Sequence, residues 1–208
     1  MKSRVIIWGA GGHAKVVADG VRLLGAEILG FVEEINSERV GGEHYGSVVI
    51  SLKEAMAELE KGRGSVGVCL GVGDNAGRSR IVDYLSGFGI VPEIVIHPKA
   101  IISPSAKIES GAVVMAGAII QADSMIEKGS IINTGSSIDH DCRIGALSHI
   151  CPGTHLAGGV SVGERSFIGA GSVVREGIKI GSDVIAGAGS VIVKDISDAC
   201  RIMGNPAR

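Results

Sequence analysis

Hydrophobic residues follow two different patterns along the chain, and the change comes near residue 97. Before it, short apolar runs alternate with stretches whose apolar residues have helical spacing. The runs at 4–8 and 66–70 predict buried strands, and the spacing over 14–24 predicts a helix. Strands that alternate with helices indicate a parallel sheet covered by helices. Residues 1–97 are therefore predicted to form a small Rossmann-like α/β domain.

From residue 98 onward the apolar residues recur at a period of six. Starting at Ile102, every sixth residue up to Ile192 is Ile, Val or Leu, with Ala186 the one exception among 16 positions. A small residue mostly follows four places later. Neither a helix nor a flat strand repeats at six, whereas a hexapeptide repeat is the mark of a parallel β-helix. Three hexads make one triangular coil, so residues 98–208 are predicted to form an all-β prism with an aliphatic bore.

The composition agrees with this division. The 208 residues include 33 glycines and only six aromatic residues, and Phe167 is the only aromatic residue of the repeat. A hydrophobic share of 45% excludes a disordered chain. A narrow bore accounts for the missing rings, and Phe167 follows a small-residue place, so its side chain is expected to point outward.

Charge and cysteine content exclude several classes of protein. A formal net charge of -2 gives no electrostatic reason to expect nucleic acid as a partner. No apolar stretch reaches the roughly 18 residues that a membrane span needs. The four cysteines form no CxxC pair, which favours reduced thiols and a cytoplasmic protein.

Four motifs together resemble one enzyme family. The run IGAGSVV at 168–174 and the ending MGNPAR at 203–208 look like left-handed β-helix acyltransferases. Together with GAGGHA at 9–14 and IDHDCRIGALSH at 138–149, they make the chain resemble the sialic acid O-acetyltransferase and bacterial nucleotide-sugar N-acetyltransferase family. The resemblance implies a left-handed β-helix, acetyl-CoA as co-substrate and no metal. It also implies a homotrimer whose active sites lie between neighbouring prisms, with a nucleotide-sugar held by the N-terminal domain.

His140 is the candidate general base. An ammonium group must lose a proton before its nitrogen attacks a thioester, and an imidazole suits that task near neutral pH. Asp141 follows directly and is expected to orient the ring and raise its basicity. Without the resemblance, a surface histidine on a turn explains His140 equally well.

The resemblance also implies three residues that bind acetyl-CoA. His149 is placed near the thioester, and Ala170 and Ala188 match positions that bind through their backbone groups. His149 lies half a coil from His140, so it is expected on a different wall and meets His140 only across a trimer interface. His155 follows His149 by six residues, which leaves open a zinc site between subunits as in prism-shaped carbonic anhydrases.

A glycine-rich turn after the first strand is the candidate substrate site. Glycines there let a phosphate approach backbone N–H groups at a helix start. Alone, the turn also fits a dinucleotide fold, but the domain is only half the usual size. The resemblance makes it a nucleotide-sugar pocket formed by Gly11, Gly12, His13, Glu33, Glu34 and Gly73. Lys15 and Arg78 either neutralise phosphate or are solvated helix charges.

These observations predict an acyltransferase. The expected reaction is acetyl-CoA-dependent N-acetylation of a nucleotide-linked 4-amino-4,6-dideoxy sugar, carried by UDP or GDP, by direct transfer. The nearest alternative is O-acetylation of sialic acid on the same fold. A zinc enzyme of the carbonic anhydrase type is the alternative from another class.

Overall fold

The computed structural model describes residues 1–62 and 64–208. Its internal contacts divide the chain into two compact units, Met1–Pro98 and Lys99–Arg208. In the described ranges, no helix is both long and apolar enough to cross a bilayer.

The first unit is built on a five-stranded sheet. Its strands lie in the order β3-β4-β2-β1-β5. All pairs are parallel except the short antiparallel contact between β3 and β4. The strands are β1 (Arg4–Trp8), β2 (Glu27–Glu33), β3 (Glu43–His44), β4 (Ser47–Ser51) and β5 (Val66–Leu70). The predicted strands at 4–8 and 66–70 are confirmed, and the β3–β4 hairpin is an addition that the apolar pattern did not predict.

Three helices cover this sheet, and a short strand ends the unit. They are α1 (Gly12–Leu23), α2 (Leu52–Lys61) and α3 (Asn75–Gly87), with a 3-10 turn at Ser37–Arg39 and β6 at Val95–Ile96. Ser51 and Glu54 form a reciprocal capping box at the start of α2, and Asp74 caps α3. At α1 the N-cap is Gly11, and no side chain of the described residues caps it. The first turn of α1 therefore presents backbone N–H groups rather than a capped end.

The second unit consists of two-residue strands that stack into three walls, and the strands within each wall are parallel. They recur every six residues from β7 (Ile101–Ile102) to β22 (Val191–Ile192). Up to β22, paired residues are 18 positions apart, for example Ile120 and Ile138. In the last coil the spacing is shorter, since Ile185 pairs with Arg201. Wall 1 contains β7, β10 (Ile119–Ile120), β13 (Ser137–Ile138), β16 (His155–Leu156), β19 (Val173–Val174) and β22. Wall 2 contains β8 (Lys107–Ile108), β11 (Met125–Ile126), β14 (Arg143–Ile144), β17 (Ser161–Val162) and β20 (Lys179–Ile180).

Wall 3 completes the triangle. It contains β9 (Val113–Val114), β12 (Ile131–Ile132), β15 (His149–Ile150), β18 (Phe167–Ile168), β21 (Ile185–Ala186) and β23 (Arg201–Ile202). The second residue of each strand faces the bore, and from Ile120 to Ile192 every one is buried. The predicted aliphatic bore is therefore confirmed over these coils.

The small residues of the repeat do more than save space. From Ala112 to Ser190 these small residues are buried. Most of their hydroxyls donate to a carbonyl 15 residues later. Ser130 donates to Gly145 at 2.9 Å, and Ser148 donates to Gly163 at 2.6 Å. Each such bond ties one coil to the next. Serine is therefore selected here for hydrogen bonding as well as for size.

A left-handed backbone residue recurs at the edges of the prism. Gly117 and Gly135 occupy this place with φ of 69° and 64°, and Asp123 and Asp141 occupy it with φ of 59° and 60°. Glycine, Asn and Asp tolerate this region best. The turns of the prism thus account for its share of the glycine excess.

Candidate active site

His140 and Asp141 form a hydrogen-bonded pair on an exposed edge of the prism. The chain leaves wall 1 after Ser137–Ile138 and enters wall 2 at Arg143–Ile144, so both residues lie on the turn between these walls. Nδ1 of His140 lies 2.8 Å from Oδ2 of Asp141. The two side chains are 62% and 66% exposed, so a bound molecule can reach them.

This pair fixes how the imidazole can work. A carboxylate accepts hydrogen bonds, so Nδ1 of His140 carries the proton and Nε2 is left as the basic nitrogen. The bond to Asp141, and then the charge of Asp139, raise the pKa of His140 above its ordinary value. Such a pair suits a general base, and the catalytic role of His140 stays a prediction.

His149 lies on wall 3, packed between neighbouring coils. It is 7% exposed, and its ring meets Phe167 edge-on at 5.2 Å between ring centres. Nε2 of His149 lies 2.9 Å from Nδ2 of Asn133. Because Oδ1 of Asn133 accepts from the N–H of Thr134 at 2.8 Å, Nδ2 donates to the histidine. Sequence reasoning missed Asn133, since asparagine at a turn carries no distinctive signal.

Within one chain, the predicted catalytic and acetyl-CoA residues do not meet. His140 lies on the edge between walls 1 and 2, and His149 lies on wall 3, which is opposite that edge. Ala170 and Ala188 lie on the exposed turns between walls 3 and 1.

His155 stands apart from His149. It lies on wall 1, where Nδ1 is 2.8 Å from Oγ of Ser137, so the two histidines occupy different walls. In the ranges 1–62 and 64–208, no group of three or more His, Cys, Asp or Glu side chains is placed to hold a metal ion.

The six predicted substrate residues lie together around a cavity of the first unit. The cavity measures about 310 Å³ and opens where β1, β2 and β5 end and α1 begins. Its lining includes Gly11, Gly12, His13, Glu33, Glu34 and Gly73. It also includes three polar side chains that sequence reasoning did not single out: Trp8, Arg39 and Arg80. The binding role of the six predicted residues stays a prediction.

The two adjacent acids of this cavity have different partners. Glu33 accepts from the N–H groups of Ile35 and Asn36 and from Arg39, whose Nη1 lies at 2.8 Å. Burial alone would raise the pKa of Glu33, but these bonds lower it overall. Oε1 of Glu34 accepts from the indole N–H of Trp8 at 2.6 Å. Glu33 therefore orders the loop, whereas Glu34 is held at the cavity wall with a second oxygen to offer.

Arg78 is buried beneath the cavity rather than solvated. Its exposure is 0%, and it donates to the carbonyls of Val72 and Gly73 at 3.1 Å and to Asn75 at 2.8 Å. Burial, partly offset by Asp74, lowers the pKa of Arg78 to about 10. Of the two alternatives for Arg78, the solvated helix charge is wrong, because the side chain is buried and bonded to the backbone of Val72 and Gly73.

His13 lies in the same buried region. Its burial, and then the charge of Arg78, lower the pKa of His13 to about 4. Its imidazole is therefore neutral at pH 7.

Comparison with known protein families adds a classification. Residues 4–85 match the PglD N-terminal domain family. Residues 141–176 match the bacterial transferase hexapeptide family (six repeats), and residues 159–194 match the hexapeptide repeat of succinyl-transferase. A search of curated proteins returned no match.

Solved structures resemble the whole chain. The acetyltransferase domain of PglB from Neisseria gonorrhoeae FA1090, in complex with acetyl coenzyme A, is 39% identical with a TM-score of 0.92. That match covers 100% of this chain and 99% of the other. PerB from Caulobacter crescentus, in complex with CoA and GDP-perosamine, is 40% identical with a TM-score of 0.90, covering 98% and 95%. WeeI from Acinetobacter baumannii AYE shares the fold at 23% identity, with a TM-score of 0.88 and 98% of each chain covered.

The fold and the matches define an acyltransferase of the hexapeptide-repeat class. The chain belongs to the family of hexapeptide-repeat sugar N-acetyltransferases that carry a PglD N-terminal domain. The predicted fold class, a small α/β domain followed by a left-handed parallel β-helix, is confirmed, and so is the predicted enzyme class.

Proposed function

We propose that this protein transfers the acetyl group of acetyl-CoA to the 4-amino group of a nucleotide-linked 4-amino-4,6-dideoxy sugar. The observation that carries the proposal is the exposed His140 imidazole, oriented by Asp141 at 2.8 Å. Whole-chain similarity to proteins solved with acetyl coenzyme A, and with CoA and GDP-perosamine, supports both ligands.

The proposed step is direct transfer. The neutral amine nitrogen attacks the thioester carbonyl carbon while Nε2 of His140 takes a proton from that nitrogen. The tetrahedral intermediate then collapses, the C–S bond breaks, and the CoA thiolate leaves and is protonated. Asp141 stabilises the imidazolium that forms on His140.

We propose that two chains of a trimer build each active site. His140 stands on the edge opposite the wall that holds His149, so one chain cannot supply both to one acetyl group. A second copy placing its wall 3 against this edge supplies His149, Ala170 and Ala188 for acetyl-CoA. Three such contacts close a ring with threefold symmetry.

The cavity of the first unit is proposed to hold the nucleotide. Gly11 and Gly12 offer backbone N–H groups at the uncapped start of α1, which suits a diphosphate. The exposed guanidinium of Arg80 adds positive charge at the cavity. Glu34 offers an acceptor for N–H or hydroxyl groups of the nucleoside. His13, Glu33 and Gly73 complete the lining.

The test is an acceptor screen with acetyl-CoA. GDP-perosamine, a UDP-linked 4-amino-4,6-dideoxy sugar and free sialic acid are each incubated with the protein, and thiol release and product mass are measured. We expect turnover with an amino-sugar nucleotide and a loss of about 10²-fold or more in His140→Ala. Acetylation of sialic acid alone, or near-normal activity of His140→Ala in a folded protein, would overturn the proposal.

A further inference from the structure

The ring of His140 lies against Gly158, one coil further along the same edge. A Cβ atom built on Gly158 would lie 2.5 Å from Cε1 and 2.6 Å from Nε2 of His140. Carbon atoms in contact are normally separated by 3.5 to 4.0 Å. The imidazole therefore occupies space that any other residue at position 158 would fill.

The backbone itself does not need glycine at this position. Gly158 is not among the residues with positive φ. The same place in other hexads holds residues as different as Ala122, Pro152, Glu176 and His140 itself. Of the residues at this place from Pro104 to Ala188, Gly158 is the only glycine. The His140 ring, and not the backbone conformation, therefore accounts for the absence of a side chain at position 158.

We propose that Gly158 is a positioning residue for His140, which rests on the role proposed for that histidine. Its missing Cβ admits the ring to the orientation in which Nδ1 reaches Asp141. Hydrogen bonds fix the backbone on both sides: the N–H of Gly159 donates to His140 at 2.9 Å, and the N–H of Gly177 donates to Gly158 at 2.9 Å. A methyl group at position 158 therefore displaces the ring, since the coil cannot shift.

Gly158→Ala is expected to lower kcat roughly 10-fold to 100-fold, because a small displacement of a catalytic group costs that much. The KM values change little, since Gly158 touches the base and not a proposed ligand. The displaced imidazole loses its bond to Asp141 but keeps the nearby charge of Asp139. Its pKa, followed by NMR, is therefore expected to fall. The melting temperature should stay close to that of the wild type.

Three comparisons test this proposal. Gly158→Ala is compared with Gly87→Ala, which adds a methyl group where nothing lies within 4 Å. It is also made in the His140→Ala background, where it should change neither residual activity nor melting temperature. NMR titration of wild type, Gly158→Ala and His140→Ala assigns and follows the His140 signal.

The outcomes separate the two proposals. An unchanged His140 titration and kcat in folded Gly158→Ala would overturn the positioning role, as would an equal further loss in the His140→Ala background. If the titration shifts as expected but the wild type acetylates no amino-sugar nucleotide, the positioning role holds and the proposed function fails.

Discussion

The side-chain amide of Asn133 donates a hydrogen bond to Nε2 of His149 across 2.9 Å. An Nε2 atom that accepts a hydrogen bond leaves the ring proton on Nδ1. Asn133 therefore sets the tautomer of the histidine that we propose to act on the acetyl group. The same bond holds the ring against Phe167 on wall 3.

Asn133→Ala is expected to reduce kcat/KM for acetyl-CoA by about 2-fold to 10-fold, the value of one neutral hydrogen bond. Initial rates at varied acetyl-CoA measure it. Ser137→Ala is the matched control, because it removes a similar bond to His155 on wall 1, outside the proposed site. Equal losses in both variants would contradict a specific role for Asn133.

Asp141→Asn tests the proposed role of His140 as general base through the pH dependence of kcat. The bond to Asp141 raises the pKa of His140, and the imidazole must be neutral to take a proton, so the rate falls as pH drops through that pKa. Removing the carboxylate charge lowers the pKa, so the acidic limb of the kcat profile should move to lower pH. The plateau rate should also fall, since Nε2 becomes less basic.

The substitution at position 141 suits the backbone, because Asn tolerates a φ of 60° as Asp does. Asp123→Asn is the matched control: Asp123 has nearly the same φ, 59°, at the same edge one coil earlier. An acidic limb that stays in place in Asp141→Asn, or that moves equally in Asp123→Asn, would argue against the pair.

The repeat was predictable from the sequence because the same physical requirement, an aliphatic residue facing the bore, recurs in almost every hexad. A bore of fixed width accepts only aliphatic residues, so Ile120, Ile150 and their equivalents report the coil directly. Local pairs such as Ser51 with Glu54 and His140 with Asp141 were also predictable, since neighbours in sequence are neighbours in space.

Contacts between distant residues were not predictable in the same way. Asn133 meets His149 only because 18 residues complete one coil, and Gly158 meets His140 for the same reason. The helical position of Arg78 left open whether it is a solvated charge, and only the fold shows that it is buried and donates to the Gly73 carbonyl. Such roles depend on which residues the coils and loops stack together.

Mixing inactive variants tests the shared active site. His140→Ala and His149→Ala, refolded together, should recover activity because some sites combine an intact His140 with an intact His149 of a neighbour. Random assembly of equal amounts restores about one quarter of the sites. His140→Ala mixed with the double variant is the control and recovers nothing. Confirmed subunit exchange without recovery would mean that each site lies within one chain.

Acid should destabilise the first unit through His13. Its folded pKa of about 4 lies below the ordinary value of 6.5, so the unfolded chain binds a proton first as pH falls. The contribution of neutral His13 to the free energy of unfolding is complete above pH 6.5. Roughly 3 kcal/mol of it is lost as the pH falls from there to pH 4. Denaturant titrations across this range should show a smaller loss in His13→Gln than in wild type. The exposed His155→Gln should follow the wild type, and an equal slope in all three would contradict the burial argument.

Although both arginines belong to α3, removing Arg80 is expected to weaken substrate binding, whereas removing Arg78 is expected to lower stability. Arg80 lines the cavity and is exposed, so Arg80→Ala should raise the KM for the nucleotide-sugar about 10-fold while the melting temperature stays the same. That penalty should shrink at high salt, because an exposed charge pair is screened. Arg4→Ala, on the surface beside Glu27, is the matched control and should leave the KM unchanged.

Arg78→Ala should instead lower stability by about 1–3 kcal/mol, since it removes hydrogen bonds from the partly buried carbonyls of Val72 and Gly73. Thermal melts and KM values for both variants give the comparison. A lower melting temperature with an unchanged KM in Arg80→Ala would show that the exposed arginine stabilises the fold and does not bind the nucleotide-sugar.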